Sequence, residues 1–443
     1  MLNDTIAAIS TANQDGAISI VRLSGDDAIS IVNKLFSKDL NQSKSHSITY
    51  GFILDPINNE DIDEVLVSVF KAPKTFTRED VVEINCHGGR FVTKQILRCL
   101  LACGARLAEP GEFTRRAFLH GRIDLTQAEA INDIIQAKNK SHISVAVKGI
   151  KGSIKILLEP LIQDLLDLIA NIEVNIDYPE YDDVEVLTND IILPKAKVWV
   201  KDIETILKKS ESGVIVREGI KTVIVGKPNV GKSSLLNALL EEEKAIVTSI
   251  AGTTRDLVEG FIQLNHVMLN LIDTAGIRET EDIVEKIGID RSLQAIKQAQ
   301  LVIVVLDASK PIDEEDEQLL SLTADKVRLI VYNKNDIAPN IDGISISAAH
   351  GNIHELISAI EKLFEKHLIV LEEPTLNNER QISLMNKALL NMNQAITSLE
   401  EGKEVDLVTI DLQDCYNHLK EILGEVSRDD LLDTLFTNFC LGK

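Results

Sequence analysis

The spacing of apolar residues changes along this 443-residue chain, and each change predicts a different kind of structure. Up to residue 118, apolar and polar residues alternate in short runs, as in strands that are half buried in a sheet. The strand-like runs are residues 3–23, Ser47–Leu54, Glu64–Lys71 and Val81–Asn85. A helical run, Arg90–Cys103, follows a tight turn at residues 87–89. Residues 1–118 are therefore predicted to form a compact α+β domain.

Residues 119–217 and 372–443 show the longer apolar period of helices instead. The first helix is predicted to begin at a capping box in residues 126–129, which read TQAE. Apolar residues then recur at helical spacing from Ile154 to Ile176, and another amphipathic helix runs from about Asn189 to Lys209. One apolar stripe on each helix is typical of the members of a helix bundle.

Between these segments, residues 218–371 alternate strand and helix, which predicts a parallel-sheet α/β domain with one antiparallel pair of strands. The predicted strands are Lys221–Val225, Gly260–Leu264, Met268–Asp273, Leu301–Asp307, Arg328–Asn333 and Ile341–Ser345. The predicted fold class is thus α/β and multi-domain, with an α/β domain inserted into a discontinuous helical domain.

Composition and charge narrow the classes of function. The chain is 44% hydrophobic and carries a net charge of −23, so bulk charge will not bring it to nucleic acid. Residues 1–120 hold 13 basic and 15 acidic side chains, so −21 of the charge lies in residues 121–443. An RNA partner must therefore meet a local basic patch or arrive through another protein. Five cysteines without a C-x-x-C pair, and no apolar run long enough for a membrane span, predict a reduced, cytoplasmic protein that does not enter a membrane.

The inserted domain carries a phosphate-binding signature at Gly226–Ser233, which reads GKPNVGKS. It lies between an apolar strand and a helical run, and this is the context that a phosphate loop needs. Glycines let backbone N–H groups surround phosphate oxygens, and the helix N-terminus adds partial positive charge. Lys232 is expected to reach the β- and γ-phosphates, and the Ser233 hydroxyl is expected to bind Mg²⁺.

Three further signals follow in the order that guanine-nucleotide hydrolases use. Residues 252–256 read GTTRD, where the Thr254 hydroxyl can complete the Mg²⁺ coordination, and residues 273–276 read DTAG at the end of a strand. In residues 333–336, which read NKND, the Asp336 carboxylate can accept two hydrogen bonds from guanine that adenine cannot supply. The residues assigned to GTP binding are Asn229, Val230, Gly231, Lys232, Ser233, Ser234, Thr248, Ser249, Ile250, Ala251, Gly252, Thr253, Thr254, Asp273, Thr274, Ala275, Gly276, Asn333, Lys334, Asp336, Ser347, Ala348 and Ala349.

One expected side chain is absent. Ras-like hydrolases place a water-orienting glutamine after the D-x-x-G turn, and this chain has Ile277 there, which cannot polarise water. Several acidic side chains in Arg278–Ile287 could replace it. The sequence also shows no obvious arginine finger, so a bound cation could supply the missing positive charge. The side-chain oxygen of Asn229, inside the phosphate loop, is placed to bind such a cation.

Motifs in all parts of the chain point to one family. They are DTIAAIST near the start, IVRLSG at 20–25, FTREDVVEINCHGG at 76–89, EPGEFTRRAFLHGRIDLTQAEA at 109–130, GTTRD, DTAGIRET and FCLGK at 439–443. Together they resemble the tRNA-modification GTPase family MnmE, also called TrmE. The resemblance covers the whole chain and implies an N-terminal folate-binding domain that dimerises, a discontinuous helical domain and an inserted Ras-like P-loop GTPase domain.

The same resemblance implies function, cofactors and partners. The family forms a homodimer and, in a heterotetramer with an FAD-dependent MnmG-type partner, adds an aminomethyl or carboxymethylaminomethyl group to C5 of the tRNA wobble uridine. The carbon comes from 5-formyl-tetrahydrofolate or a related tetrahydrofolate, and K⁺-dependent dimerisation of the GTPase domains activates hydrolysis. The implied K⁺ ligands are Asn229, Thr248, Ile250 and Thr253, and the implied Mg²⁺ ligands are Ser233 and Thr254. The implied catalytic residues are Glu285, which orients the attacking water, and Lys232. The implied folate contacts are Arg22, Glu83, Arg122 and Lys443.

The sequence leaves alternatives for Cys440 and for the function of the whole chain. Cys440 lies in the terminal FCLGK motif and either acts chemically or packs. His87 is expected to serve the turn that follows it. The alternative to a tRNA-modifying enzyme is a GTP switch in ribosome assembly, with the N-terminal domain as a docking module, and a further possibility makes folate chemistry primary and GTP regulatory. The N-terminal motifs and FCLGK favour the tRNA-modifying enzyme.

Overall fold

The computed structural model describes residues 4–137, 140–177, 189–241, 260–264, 267–272, 294–338, 342–369, 374–403, 405–426, 432, 435–437, 439, 440 and 442. Contacts divide the chain into two compact units. The first unit comprises Met1–Ile135, Gly149–Lys155 and Leu419–Lys443, and the second comprises Gln136–Lys148 and Ile156–His418. No described helix is long and apolar enough to cross a membrane.

The first unit is built on a six-stranded sheet with the order β3-β4-β5-β2-β1-β6. Its strands are β1 (Ile6–Ile9), β2 (Ile18–Ser24), β3 (Ser47–Leu54), β4 (Asp61–Phe70), β5 (Val81–His87) and β6 (Arg106–Leu107). All neighbouring pairs are antiparallel except β1 and β6. The strands predicted from apolar alternation are confirmed, because alternate residues such as Val65, Val67 and Val69 enter one apolar core.

Four helices accompany this sheet: α1 (Ala28–Asn33), α2 (Arg90–Ala102), α3 (Glu112–Leu119) and α4 (Leu125–Gln136). Helices α1 and α2 contribute Ile31, Ile96 and Leu100 to the core on one face of the sheet. A second cluster joins Ala117 of α3 and Leu125 of α4 to Phe436 and Phe439 near the C-terminus. The C-terminal segment is therefore part of the same unit as the N-terminal strands.

The predicted start of α4 was wrong by two residues. The cap is Asp124, whose Oδ1 accepts hydrogen bonds from Gln127 N at 2.9 Å and Thr126 Oγ1 at 2.6 Å. Gln127 Oε1 accepts from Asp124 N at 3.0 Å, which completes the reciprocal pair. Thr126 is thus inside the first turn and not the cap, because an aspartate two residues earlier supplies the better acceptor.

Further helices with defined bounds in the described part of the chain are α5 (Lys140–Ile150), α6 (Ser153–Asp177), α7 (Asn189–Glu218), α8 (Lys232–Glu241), α9 (Glu314–Leu322), α10 (His354–Ile369), α11 (Glu379–Glu400) and α12 (Val405–Leu423). Within the second unit, α7 packs against α11. The only tryptophan of the chain, Trp199 on α7, is buried and donates to Leu161 O of α6 at 3.1 Å. The apolar stripes of these helices form an interior, as the helical period predicts.

The second unit also holds a six-stranded sheet with the order β12-β11-β10-β7-β9-β8. Its strands are β7 (Ile220–Val225), β8 (Gly260–Leu264), β9 (Val267–Leu271), β10 (Leu301–Asp307), β11 (Arg328–Asn333) and β12 (Ile344–Ile346). All neighbours are parallel except β8 and β9, so the prediction of one antiparallel pair is confirmed. The last strand, predicted at Ile341–Ser345, instead spans Ile344–Ile346. Loops after β7, β11 and β12 therefore leave the same edge of the sheet.

The predicted fold class is confirmed: an α+β N-terminal domain, helical segments and an α/β phosphate-loop domain. The domain boundaries at 118, 217 and 371 stay predictions.

Candidate functional site

The loop after β7 has the backbone shape of a phosphate cradle. A Cβ on Gly226 would lie 2.5 Å from Val305 O, and a Cβ on Gly231, where φ is +96°, would lie 2.1 Å from Asn333 Nδ2. Only glycine fits either position. Asn229 has a left-handed backbone with φ of 63°, which asparagine tolerates better than most residues, and its side chain is exposed. Helix α8 begins at Lys232, so its N-terminus faces the same loop.

Lys232 folds back onto this loop. Its ammonium group donates to Gly226 O and Lys227 O, both at 2.8 Å. Burial lowers the pKa of Lys232 below its ordinary value, because the charged form loses water. A phosphate in the cradle would reverse that shift, because a negative charge beside the ammonium group favours the protonated form.

The side chain of Asn333 connects the phosphate loop to the loop after β12. Its Nδ2 donates to Val230 O at 2.9 Å, and its Oδ1 accepts from Ala348 N at 3.0 Å. All three residues are buried, and Asn333 is 3% exposed. The amide therefore fixes the distance between the part of the site predicted to hold phosphates and the part predicted to hold the base.

The base-side residues also meet. Ser347 Oγ donates to Asp336 Oδ1 at 2.6 Å, and this hydrogen bond holds the pKa of Asp336 below its ordinary value. Lys334 has a left-handed backbone with φ of 69°, and its ammonium group lies 2.6 Å from Asp307 Oδ2. Although burial opposes it, the hydrogen bond from Lys334, together with those from Ser309, lowers the pKa of Asp307 to about 2. Asp336 is thus an ionised acceptor, as guanine recognition requires.

Several predicted site residues fall outside the described residues. They are Thr248, Ser249, Ile250, Ala251, Gly252, Thr253, Thr254, Asp273, Thr274, Ala275, Gly276, Glu285 and Lys443. Of the others, Ser233 and Ser234 lie in the first turn of α8, and Ala349 lies in the short turn Ala348–His350. The structure thus brings together the phosphate loop, Asn333, Asp336 and Ser347.

The donor atoms of this site suit magnesium and potassium ions. The Ser233 hydroxyl and the Asn229 side chain are exposed oxygen donors, which is the ligand type that hard cations prefer. Among the described residues, no group of three or more His, Cys, Asp and Glu side chains could hold a metal ion. Asn229 and Ser233 would contribute amide and hydroxyl oxygens to a cation, beside the phosphate oxygens of a bound nucleotide.

A second cluster lies in the first unit, around Arg22. The register pairs Arg22 of β2 with Glu83 of β5, and Arg22 Nε lies 2.8 Å from Glu83 Oε1. Arg22 Nη1 also donates to Gly442 O at 3.2 Å, as does Ser10 Oγ at 3.0 Å. The residue before Lys443 is thus held directly beside two predicted folate contacts. Arg22 and Glu83 remain 23% and 21% exposed, so a ligand can reach them.

The other predicted residues of this unit are placed as follows. Arg122 lies over the Phe76 ring, with its Cζ 5.1 Å from the centroid, and Arg22 lies over Phe113 at 5.8 Å. Phe76 packs against the cluster that contains Phe113. The Cys440 side chain is exposed, and its carbonyl accepts from Gly111 N at 3.3 Å. Exposure leaves both a chemical role and a simple anchoring role open for Cys440.

Two further cations near these sites have partners that the sequence analysis did not predict. Lys227 Nζ lies 2.5 Å from Asp313 Oδ2 and 2.7 Å from Asp316 Oδ2, which ties the phosphate loop to the start of α9. Arg116, with 2% of its side chain exposed, pairs with Asp4, Glu79 and Glu112 at 2.6, 2.9 and 3.0 Å. Except for Glu112, which lies four residues before Arg116 on α3, these partners lie far apart in sequence, so periodicity could not reveal them.

Comparison with known proteins matches almost the whole chain. The family described as MnmE helical domain matches residues 125–440, and the family described as GTP-binding protein TrmE N-terminus matches residues 5–122. The chain is 51% identical to the tRNA modification GTPase MnmE of Ligilactobacillus salivarius, over 99% of this chain and 98% of that one. It is 50% identical to the protein of the same name from Enterococcus faecalis, over 99% and 98% of the two chains.

Similarity to solved structures covers a smaller part of the chain. Era in complex with MgGDPNP and 16S ribosomal RNA is 26% identical over 38% of this chain and 65% of that chain, with a TM-score of 0.25. The G domain of the T. maritima FeoB iron transporter is 24% identical over 35% of this chain and 99% of that chain, with a TM-score of 0.24. TM-scores of this size support no conclusion about function.

Proposed function

The chain belongs to the MnmE family of tRNA modification GTPases, and we propose that it hydrolyses GTP during modification of the tRNA wobble uridine. The product is an aminomethyl or carboxymethylaminomethyl group at C5 of that base. The observation that carries the proposal is the Asn333 side chain, which bonds both to Val230 O in the phosphate loop and to Ala348 N in the base-side loop. One buried amide thus joins the phosphate loop to the loop that carries Ser347, the hydrogen-bond donor to Asp336.

Within this proposal each side chain has a distinct task in GTP hydrolysis. Lys232 exchanges two backbone carbonyls for phosphate oxygens, and Asp336 accepts the guanine N–H groups. Ser233 and Thr254 would hold Mg²⁺, which neutralises charge on the phosphates. Glu285 would orient the attacking water. The residues that would hold K⁺, which supplies positive charge where other hydrolases use an arginine, are Asn229, Thr248, Ile250 and Thr253.

The folate part of the proposal rests on the cluster in the first unit. Glu83 offers a carboxylate to the amide-like edge of a pterin, and its bond to Arg22 keeps that carboxylate in place. Arg122 and Lys443 would complete the site with charges that suit the anionic tail of the folate. The one-carbon donor is 5-formyl-tetrahydrofolate or a related tetrahydrofolate. The chain acts as a homodimer in the cytoplasm with tRNA and an FAD-dependent MnmG-type partner, in a heterotetramer.

The GTPase part is tested by comparing hydrolysis by the purified chain in K⁺ and in Na⁺. Hydrolysis should rise with K⁺ and not with Na⁺, because in this proposal K⁺ supplies the positive charge that an arginine supplies in other hydrolases. Asn229→Ala should remove the K⁺ stimulation. Asn237→Ala, an exposed asparagine on α8, is the matched control and should keep it. Equal rates in both salts for the unaltered chain would exclude the potassium role of Asn229.

The folate part is tested by equilibrium binding of 5-formyl-tetrahydrofolate. Arg22→Met should abolish binding, because it removes the partner of Glu83 and a cation in the same step. Arg98→Met, an exposed arginine on α2, is the matched control for the loss of one positive charge. Equal affinity of the two variants would place the folate elsewhere.

A further inference from the structure

A histidine next to the base-side loop extends the hydrogen bonds of the guanine acceptor. His350 Nδ1 lies 2.9 Å from Ser347 Oγ, and Ser347 Oγ donates to Asp336 Oδ1 at 2.6 Å. The same imidazole nitrogen is 4.0 Å from Asp336 Oδ2, which is too far for a direct hydrogen bond. The histidine therefore acts on the aspartate through the serine.

Counting protons sets the direction of this chain of bonds. A serine hydroxyl has one proton, and an ionised carboxylate can only accept. Ser347 therefore donates its hydroxyl proton to Asp336, whose pKa is held below its ordinary value. His350 Nδ1 must then carry the proton of the other bond and donate to Ser347 Oγ. The order of donation is His350 to Ser347 to Asp336.

The backbone holds His350 in place for this role. Residues Ala348–His350 form one short helical turn, and His350 N donates to Ser347 O at 3.1 Å. Gly351 ends the turn with φ of +71°, and Ser347 and Asn352 exchange two backbone hydrogen bonds of 3.0 and 3.1 Å. The closed turn thus places the imidazole ring beside Ser347, although 68% of the His350 side chain remains exposed.

We propose that His350 is a positioning residue for guanine selection in this chain. It holds the Ser347 hydroxyl in the orientation that donates to Asp336, and Ser347 in turn fixes the plane of the carboxylate. Guanine donates from both N1–H and the 2-amino group, and the two hydrogen bonds form together only if the Asp336 carboxylate lies in the plane of the base. The inference rests on the proposed GTPase function and adds to it the residue that orients its base acceptor.

The test compares binding of GDP and IDP, because inosine keeps N1–H and lacks the 2-amino group. His350→Phe keeps a planar ring and removes the donor, whereas His350→Asn offers an amide donor. His354→Phe, an exposed histidine at the start of α10, is the matched control. Dissociation constants are measured by fluorescence titration of each full-length variant.

His350→Phe should weaken GDP binding about five- to tenfold, the effect of one lost hydrogen bond, and should change IDP binding much less. His350→Asn should restore GDP affinity to within about twofold of the unaltered chain. Equal losses for GDP and IDP would indicate a merely structural role and overturn the inference, as would unchanged affinities. Failure of the unaltered chain to bind GDP would instead refute the proposed function, and the inference with it.

Discussion

Replacing Asn333 by alanine removes the bridge between the phosphate loop and the base-side loop. The substitution leaves Val230 O and Ala348 N–H without the partners that they have at 2.9 and 3.0 Å. Val230 is 3% exposed and Ala348 is 5% exposed, so bulk water does not reach either residue freely. The substitution changes no charge in the chain, so the perturbation is local.

The expected cost follows from these two groups. A buried polar group that loses its partner costs about 1–3 kcal/mol, so two such groups cost about 2–6 kcal/mol. The space vacated by the amide admits water, which favours the lower end of that range. A loss of about 2–3 kcal/mol in nucleotide binding corresponds to roughly a 30- to 150-fold weaker affinity for GDP.

The assay is fluorescence titration of GDP, with hydrogen exchange at the Ala348 amide as a local measure of protection. The matched control is Asn270→Ala, which removes another buried asparagine of the same sheet. Asn270 Oδ1 has no hydrogen-bond partner among the described residues, so its loss should leave GDP affinity unchanged. If Asn333→Ala binds GDP as tightly as the control and keeps its amide protection, the bridge does not hold the site together.

Three further results are expected. Arg116→Leu leaves the buried Glu79 without its cation and leaves Glu112 paired with Arg106 alone, so it should destabilise the first unit by about 3–5 kcal/mol, seen as lost hydrogen-exchange protection in α3. Burial lowers the pKa of Lys232 in the free protein, and a bound phosphate raises it, so GTP binding at a pH near the lowered pKa should take up protons. GTP affinity should therefore fall as the pH rises, and calorimetry in buffers of different ionisation enthalpy should detect the proton uptake. Glu285→Ala should bind GTP normally and lose turnover, whereas Glu279→Ala should keep both; surviving turnover in the first variant would move the role to another acidic residue.

Much of the fold was readable from the sequence because burial repeats with the period of each element. The alternation in Ser47–Leu54 and the apolar stripe from Ile154 to Ile176 both became the elements they predicted. The start of α4 was missed because Asp124 and Thr126 are both good capping residues, and only the reciprocal bond with Gln127 decides between them.

The site was predictable where its residues share a motif. Asn333 ends β11, Asp336 follows it and Ser347 follows β12; because these two strands are parallel neighbours, the loops had to converge at one edge of the sheet. Partners outside the motifs were not predictable. The contact of His350 with Ser347 depends on the turn that Gly351 closes. The contact of Lys227 is with Asp313, which lies 86 residues later in the sequence, just before α9. Such contacts are set by tertiary packing, which local patterns do not encode.

The central claim is that this GTPase modifies the wobble uridine of tRNA, and nucleoside analysis of bulk tRNA tests it most directly. A strain that lacks the gene should lose the C5-modified wobble uridine. The unaltered chain should restore it, and Lys232→Ala should fail to do so while the protein is still produced. Unchanged wobble uridines in the deletion strain would contradict the account.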